Sequence, residues 1–157
     1  MTAIKTSLKT LTAAATLAFA SMGFAADLDI NADENDIAMR GYDAVSYFSI
    51  GKPTKGSDKF LASYKNAIFK FSSKANRDEF KANPVRYTPQ YGGYCAFGTS
   101  VEKKFDGDPS VWKIVDNKLY LNLNKDVQKR WLIETDEKIQ IADETWPVIS
   151  HVKAEDL

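Results

Sequence analysis

Cysteine and histidine are nearly missing from this chain: its 157 residues hold one of each, Cys95 and His151. A single cysteine excludes an intramolecular disulfide, so the fold has to rest on packing. An excess of either charge is missing too, with 21 basic against 21 acidic residues. That balance gives no reason to expect nucleic-acid binding, which requires a basic stripe, and the pairs Lys103-Lys104 and Lys129-Arg130 are too dispersed to supply one. Beyond residue 25 no apolar run is long enough to cross a hydrocarbon core of about 30 Å.

The N-terminal stretch differs from the rest. Lys5 and Lys9 precede an apolar run at 11–20, and the small residues Gly23 and Ala25 then stand where a signal peptidase reads them. The pattern predicts a signal peptide over 1–25 and cleavage near Ala25. A domain of about 132 residues, 26–157, would then stand in the periplasm or be secreted, with a formal charge of about −2 and no stable membrane insertion. That is one domain's length, with a core spanning about 37–147. Aromatics supply the material for it: three Trp, seven Tyr and seven of the nine Phe lie beyond the signal peptide.

Along the mature chain, 27–36 reads as a short acidic lead, mobile at its start, and 50–58 as a loop. Residues 45–48 suit either a strand or a helical turn, and 60–64 a strand. The alternation of Ala67, Phe69 and Phe71 predicts a second strand, reached through a turn at Lys65-Asn66. Ser72 or Ser73 can cap a helix over 74–82 that Pro84 limits from outside. Around Cys95 a brief helix and an irregular core strand both fit. Asp106-Gly107-Asp108-Pro109 is a turn signal. A hairpin follows, with Asp116-Asn117 at its tip. Asn124 can cap a helix over 125–133, and Asp136 a last helix ending at Thr145 before Pro147. No internal repeat shows in the residue pattern. Short strands and short helices without a βαβ rhythm predict α+β: a small single domain of short antiparallel hairpins and short packed helices.

Candidate chemistry centres on Cys95. Its sulfur is buried and inert, ligated, or paired with another chain. Cys95, His151 and Met39 together would be soft enough for copper, whereas zinc asks for about four donors. Nucleophilic catalysis at Cys95 would need a base and an orienting group beside it, with Asp43 or His151 as the residues available. Tyr42, Tyr91 and Tyr94 carry hydroxyls that must find partners if buried. With Asp43 and Cys95 they are the candidate ligand-binding residues.

Several blocks together resemble one family. These are Phe69-Lys70-Phe71-Ser72-Ser73 with Asn76, Arg77, Phe80, Pro84 and Tyr87; GYDAVSYF at 41–48; YGGYCAF at 91–97; DPSVWKIVDNKLYLN at 108–122; and KRW at 129–131 with ADETWP at 142–147. The chain resembles the small exported bacterial YHS-domain proteins over nearly all of its mature length. The resemblance implies a small α+β module associated with heavy-metal handling. In the metal-linked members, cysteines stand in a Cys-Pro-x-Cys motif, after the aromatic strand and inside the next helix; here Ser72 and Asn76 hold the latter two places. The expected function is an exported, mainly monomeric, non-enzymatic binding protein of this type, with copper, zinc or a metallated small ligand near Cys95. A metal-free protein–protein adaptor or stress-related accessory domain is the alternative, and an enzyme centred on Cys95 the third.

Overall fold

The computed structural model describes residues 25–157; the segment read as a signal peptide lies almost wholly outside them. The elements run α1 (Ser46–Ser49), β1 (Ser57–Tyr64), β2 (Ala67–Phe71), α2 (Lys74–Ala82), α3 (Pro84–Tyr87), α4 (Ala96–Thr99), β3 (Asp108–Val115), β4 (Lys118–Asn122), α5 (Lys125–Ile133) and α6 (Thr135–Ile149). Two separate antiparallel hairpins, β1–β2 and β3–β4, form the sheet content, each with helices packed on it. The architecture is the expected small α+β fold. Of residues 45–48, Ser46, Tyr47 and Phe48 resolve as helix and Val45 as the turn before it, which Asp43 holds: its carboxylate accepts the Val45 amide at 2.9 Å.

The chain is built twice. From the first hairpin onward the spacing is constant: β3 follows β1, β4 follows β2, α5 follows α2, and the start of α6 follows the start of α3, each by 51 residues. The hairpins share their register and even their bulge, which falls between Ser57 and Leu61 in one and between Asp108 and Trp112 in the other. Both tips use two residues with left-handed backbone, Lys65-Asn66 (φ 50 and 59) and Asp116-Asn117 (φ 47 and 59). The two nine-residue helices, α2 and α5, are each capped by a side chain on the amide three residues on, Ser73 to Asn76 and Asn124 to Val127. The expectation of no repeat is therefore corrected. The halves share backbone conformation and apolar positions, Phe69 with Tyr120 and Phe80 with Trp131, while most of their polar residues differ.

Each half has its own core. Phe69, Phe71 and Phe80 fill the first, with ring centroids 4.7 and 5.0 Å from Phe80, joined by Tyr47, Tyr87 and Leu119. Tyr91, Ala96, Tyr120, Trp131 and Ala142 fill the second. The halves part company at one place. After the same start, α3 stops within four residues while α6 runs for 15. It passes Pro147, which was expected to end it, and closes at Ile149. Proline here forfeits only one hydrogen bond, to the Asp143 carbonyl, and buried Ile149 anchors the last turn. Its first turn holds Asp136, but no side chain caps it.

Two further expectations change. The acidic lead is pinned: the Ala26 amide donates to Asp36 Oδ1 at 2.8 Å, Asp27 N to the Lys65 carbonyl at 3.0 Å and Asn31 N to the Gly92 carbonyl at 2.9 Å, and Ile30 is buried. Gly92 permits this close approach, since a Cβ there would stand 1.8 Å from the Asp29 carbonyl oxygen. Strands also reach further into predicted loop and turn, β1 to Ser57 and β3 to Asp108 and Pro109. Proline is accommodated there because it lies in the bulge.

Candidate functional site

The repeat places Asp43 and Cys95 at matching points, each just before a short helix. The surroundings match as well. Asp43 N donates to the Thr54 carbonyl and Cys95 N to the Phe105 carbonyl, both at 2.8 Å. Asp43 receives the amides of Val45 (2.9 Å), Ser46 (3.3 Å) and, from across the fold, Ser72 (2.9 Å). The Cys95 sulfur receives the Gly98 amide at 3.4 Å, the counterpart of Ser46, while the Phe97 amide goes instead to Asn122 Oδ1 at 3.3 Å. The first nest holds a carboxylate and the second a thiol.

The remaining partners then diverge. Asp43 Oδ2 also accepts from the Ser72 hydroxyl at 2.6 Å and from Asn76 Nδ2 at 2.7 Å. Ser72 and Asn76 are the positions where the resemblance would put cysteines, and both are engaged by Asp43. Cys95 instead faces Asn122 Oδ1 at 3.7 Å, and the Asn122 Nδ2 has no partner among the described residues. Cys95 is wholly buried, and burial pushes its thiol pKa up, against the smaller opposing pull of the amides.

The candidate metal ligands do not come together. Met39 is buried in the first core, with left-handed backbone (φ 54). His151 is exposed, beside 26–29 and Ser150. Neither shares a cavity or hydrogen bond with Cys95. Among the described residues no three of His, Cys, Asp and Glu gather where one metal ion could be held.

Tyr42 is half-buried under Lys55, whose ammonium lies 4.0 Å from the ring centre. Its counterpart Tyr94 is half-buried under Lys104, at 4.8 Å. Lys104, which nothing in the sequence marks, is 4 % exposed and donates to the carbonyls of Leu28 (2.7 Å), Ser150 (3.0 Å) and Val152 (2.7 Å). It ties the lead to the C-terminal tail. Burial lowers its pKa and nearby Asp29 partly offsets that.

Tyr91 stands at the edge of a site with room for a ligand. It is 5 % exposed, carries left-handed backbone (φ 56, ψ 33) that a bulky residue adopts only when held there, and donates its hydroxyl to Asp143 at 2.9 Å. Burial, then Asp143, raises its pKa. Beside it lies a cavity of about 420 Å³, walled by Tyr64, Trp146, Thr88 and Gln90 and ending at Lys118 and Asp143. Lys118 and Asp143 also line a second cavity of about 460 Å³, between the β3–β4 hairpin and α6. The two form one groove past that pair. Sequence reading found Tyr91 but missed Asp143, Lys118, Tyr120 and Trp146. Trp146 reads from sequence as core, and only the continuation of α6 past α3's stopping point turns it and Asp143 toward the groove.

No helix among the described residues is long and apolar enough to span a membrane. Comparison with family models, with characterised proteins and with solved structures found no match.

Proposed function

We propose that this chain is an exported, non-enzymatic binding protein of the YHS type, and that its ligand lies in the groove beside Tyr91 and Trp146. The observation that carries the reading is the groove itself. It has the volume of a small-molecule site, aromatic walls and a few placed polar groups, and Tyr91 is held at its edge in a backbone conformation with an inherent cost. It also lies where the two halves of the chain differ, as a feature added to a duplicated frame would.

A transition metal at Cys95 does not fit the residues present. The sulfur is enclosed by neutral amides and Asn122, and the two positions that would carry further thiolates hold Ser72 and Asn76. Catalysis at Cys95 lacks a base as well, since Asp43 spends its carboxylate on its own five donors. The adaptor reading expected Tyr91 and Tyr94 on an exposed aromatic patch, whereas Tyr91 is enclosed and Tyr94 lies under Lys104. Export accords with a chain tied down from Ala26 onward, immediately after the expected cleavage point.

The test is a thermal-shift screen of small ligands against the wild type and the variants Trp146→Ala and Tyr91→Phe. Ligands that stabilise the wild type should lose that effect in the variants. Unchanged stabilisation in both variants would reject the groove. Native mass spectra with copper or zinc form a separate arm: a stoichiometric complex lost in Cys95→Ser would restore the metal reading.

A further inference from the structure

The groove is unequal along its length, and its second half is acidic. Asp116, Asp136, Asp143 and Glu144 line it against one cation, Lys118. None of the four carboxylates is in an ion pair among the described residues. Charges of one sign left uncompensated along a cleft raise the local concentration of the opposite sign.

A second observation points into the same space. Tyr120 is 2 % exposed, with its ring packed between Trp131 (centroids 5.4 Å apart) and Tyr91 (6.0 Å). It nevertheless lines the cavity, and its hydroxyl has no hydrogen-bond partner among the described residues. With the ring enclosed, the hydroxyl is open only on the cleft side, and its partner there is water or a ligand. Its counterpart in the other half, Phe69, has no hydroxyl at all. Burial first, then the charges of Asp143 and Asp116, push the Tyr120 pKa up to about 12, so at neutral pH the group is an intact hydroxyl able to donate and accept.

We infer that the acidic half of the groove binds the charged head of an organic cation, an ammonium on an apolar or aromatic body, with Tyr120 completing its hydrogen bonds and the body lying along Tyr91 and Trp146. A metal ion is the less apt occupant, because the carboxylates line the cleft and no three converge on one point. An extended ammonium needs no such convergence. It takes its hydrogen bonds singly from a carboxylate, a hydroxyl or an aromatic face. The inference rests on the binding-protein reading above and adds to it the sign and class of the ligand.

Calorimetric titration of the purified protein with phenethylamine, with neutral phenylpropanol and with phenylpropionate separates the two. The amine should bind at least about tenfold more tightly than the alcohol, the gap narrowing at high salt as screening weakens the carboxylates. Tyr120→Phe should weaken the amine about three- to tenfold, the worth of one hydrogen bond, and leave the alcohol unaffected. Asp136→Asn, at an exposed position, serves as the variant that cannot harm the core and should weaken the amine alone. If the alcohol or the propionate binds as well as the amine and Trp146→Ala abolishes that binding, the cationic ligand is refuted while the groove stands. If none of the three binds, both the cation and the groove reading fall.

Discussion

Replacing Asp43 by Asn tests whether one buried carboxylate holds the first half together. Asp43 is fully buried and accepts five hydrogen bonds, two at Oδ1 from Val45 and Ser46 and three at Oδ2 from Ser72 and Asn76. An amide retains one acceptor oxygen. In the best arrangement it keeps Val45 and Ser46, and its NH2 donates to the Ser72 hydroxyl and to a flipped Asn76. The Ser72 amide is then left facing another donor, which costs about 1–3 kcal/mol, and the surviving bonds lose the charge that made them roughly twice as strong. Together these give a loss of about 3 kcal/mol, a large share of the 5–15 kcal/mol that holds a domain of this size. Ser72→Ala removes a single donor at an exposed residue and should cost about 1 kcal/mol or less. The matching position is an internal control: Asp43→Ala should cost more than Cys95→Ala, because Cys95 offers a neutral thiol to the Gly98 amide alone. Urea unfolding of the four variants measures all of this. An Asp43→Asn stability within about 0.5 kcal/mol of wild type would show that the five bonds are solvated in the unfolded chain as well as they are satisfied in the fold, and the account would fail.

Cys95, enclosed and with its thiol pKa raised by burial, should label slowly in the native protein and rapidly in denaturant; fast stoichiometric labelling of the folded form would contradict its burial. Raised pKa values also set the alkaline limit. Tyr47, Tyr91 and Tyr120 are all shifted up from 10.0, chiefly by burial, and Cys95 from 9.0. The unfolded chain therefore releases these protons first, so their stabilisation is complete below about pH 9 and is lost as pH rises toward 12 and beyond. Phenolate absorbance of these tyrosines should appear only with the loss of circular dichroism. Lys104→Met leaves three carbonyls without their donor and should cost about 2–4 kcal/mol, with proteolysis appearing first in the lead and the tail. Gly92→Ala, at φ +62 and against the Asp29 carbonyl, should displace 27–31, seen as rapid amide exchange at Asn31; unchanged protection would refute the close approach.

Local signals settled much of the fold. The helices over 74–82 and 125–133 follow from a cap and an apolar anchor four or more residues on, Ser73 with Phe80 and Asn124 with Trp131, and both can be read within a dozen residues. The hairpin tip at Asp116-Asn117 is equally local, because only short polar residues and glycine enter left-handed backbone readily. The repeat was not legible. What it preserves is backbone conformation and volume, so Asp43 matches Cys95, Ser72 matches Leu123 and Asn76 matches Val127, pairs with no chemistry in common. Tyr91 stood out as a phenol needing a partner, but Asp143 lies 52 positions away and meets it only because α6 continues where α3 stops. Lys104 likewise looks like a surface lysine until three carbonyls from both ends of the chain close around it. Caps, turns and apolar spacing are short-range physics and are written in the sequence. Which carboxylates share a groove, and which ammonium is buried, depends on long-range packing that only the tertiary structure decides.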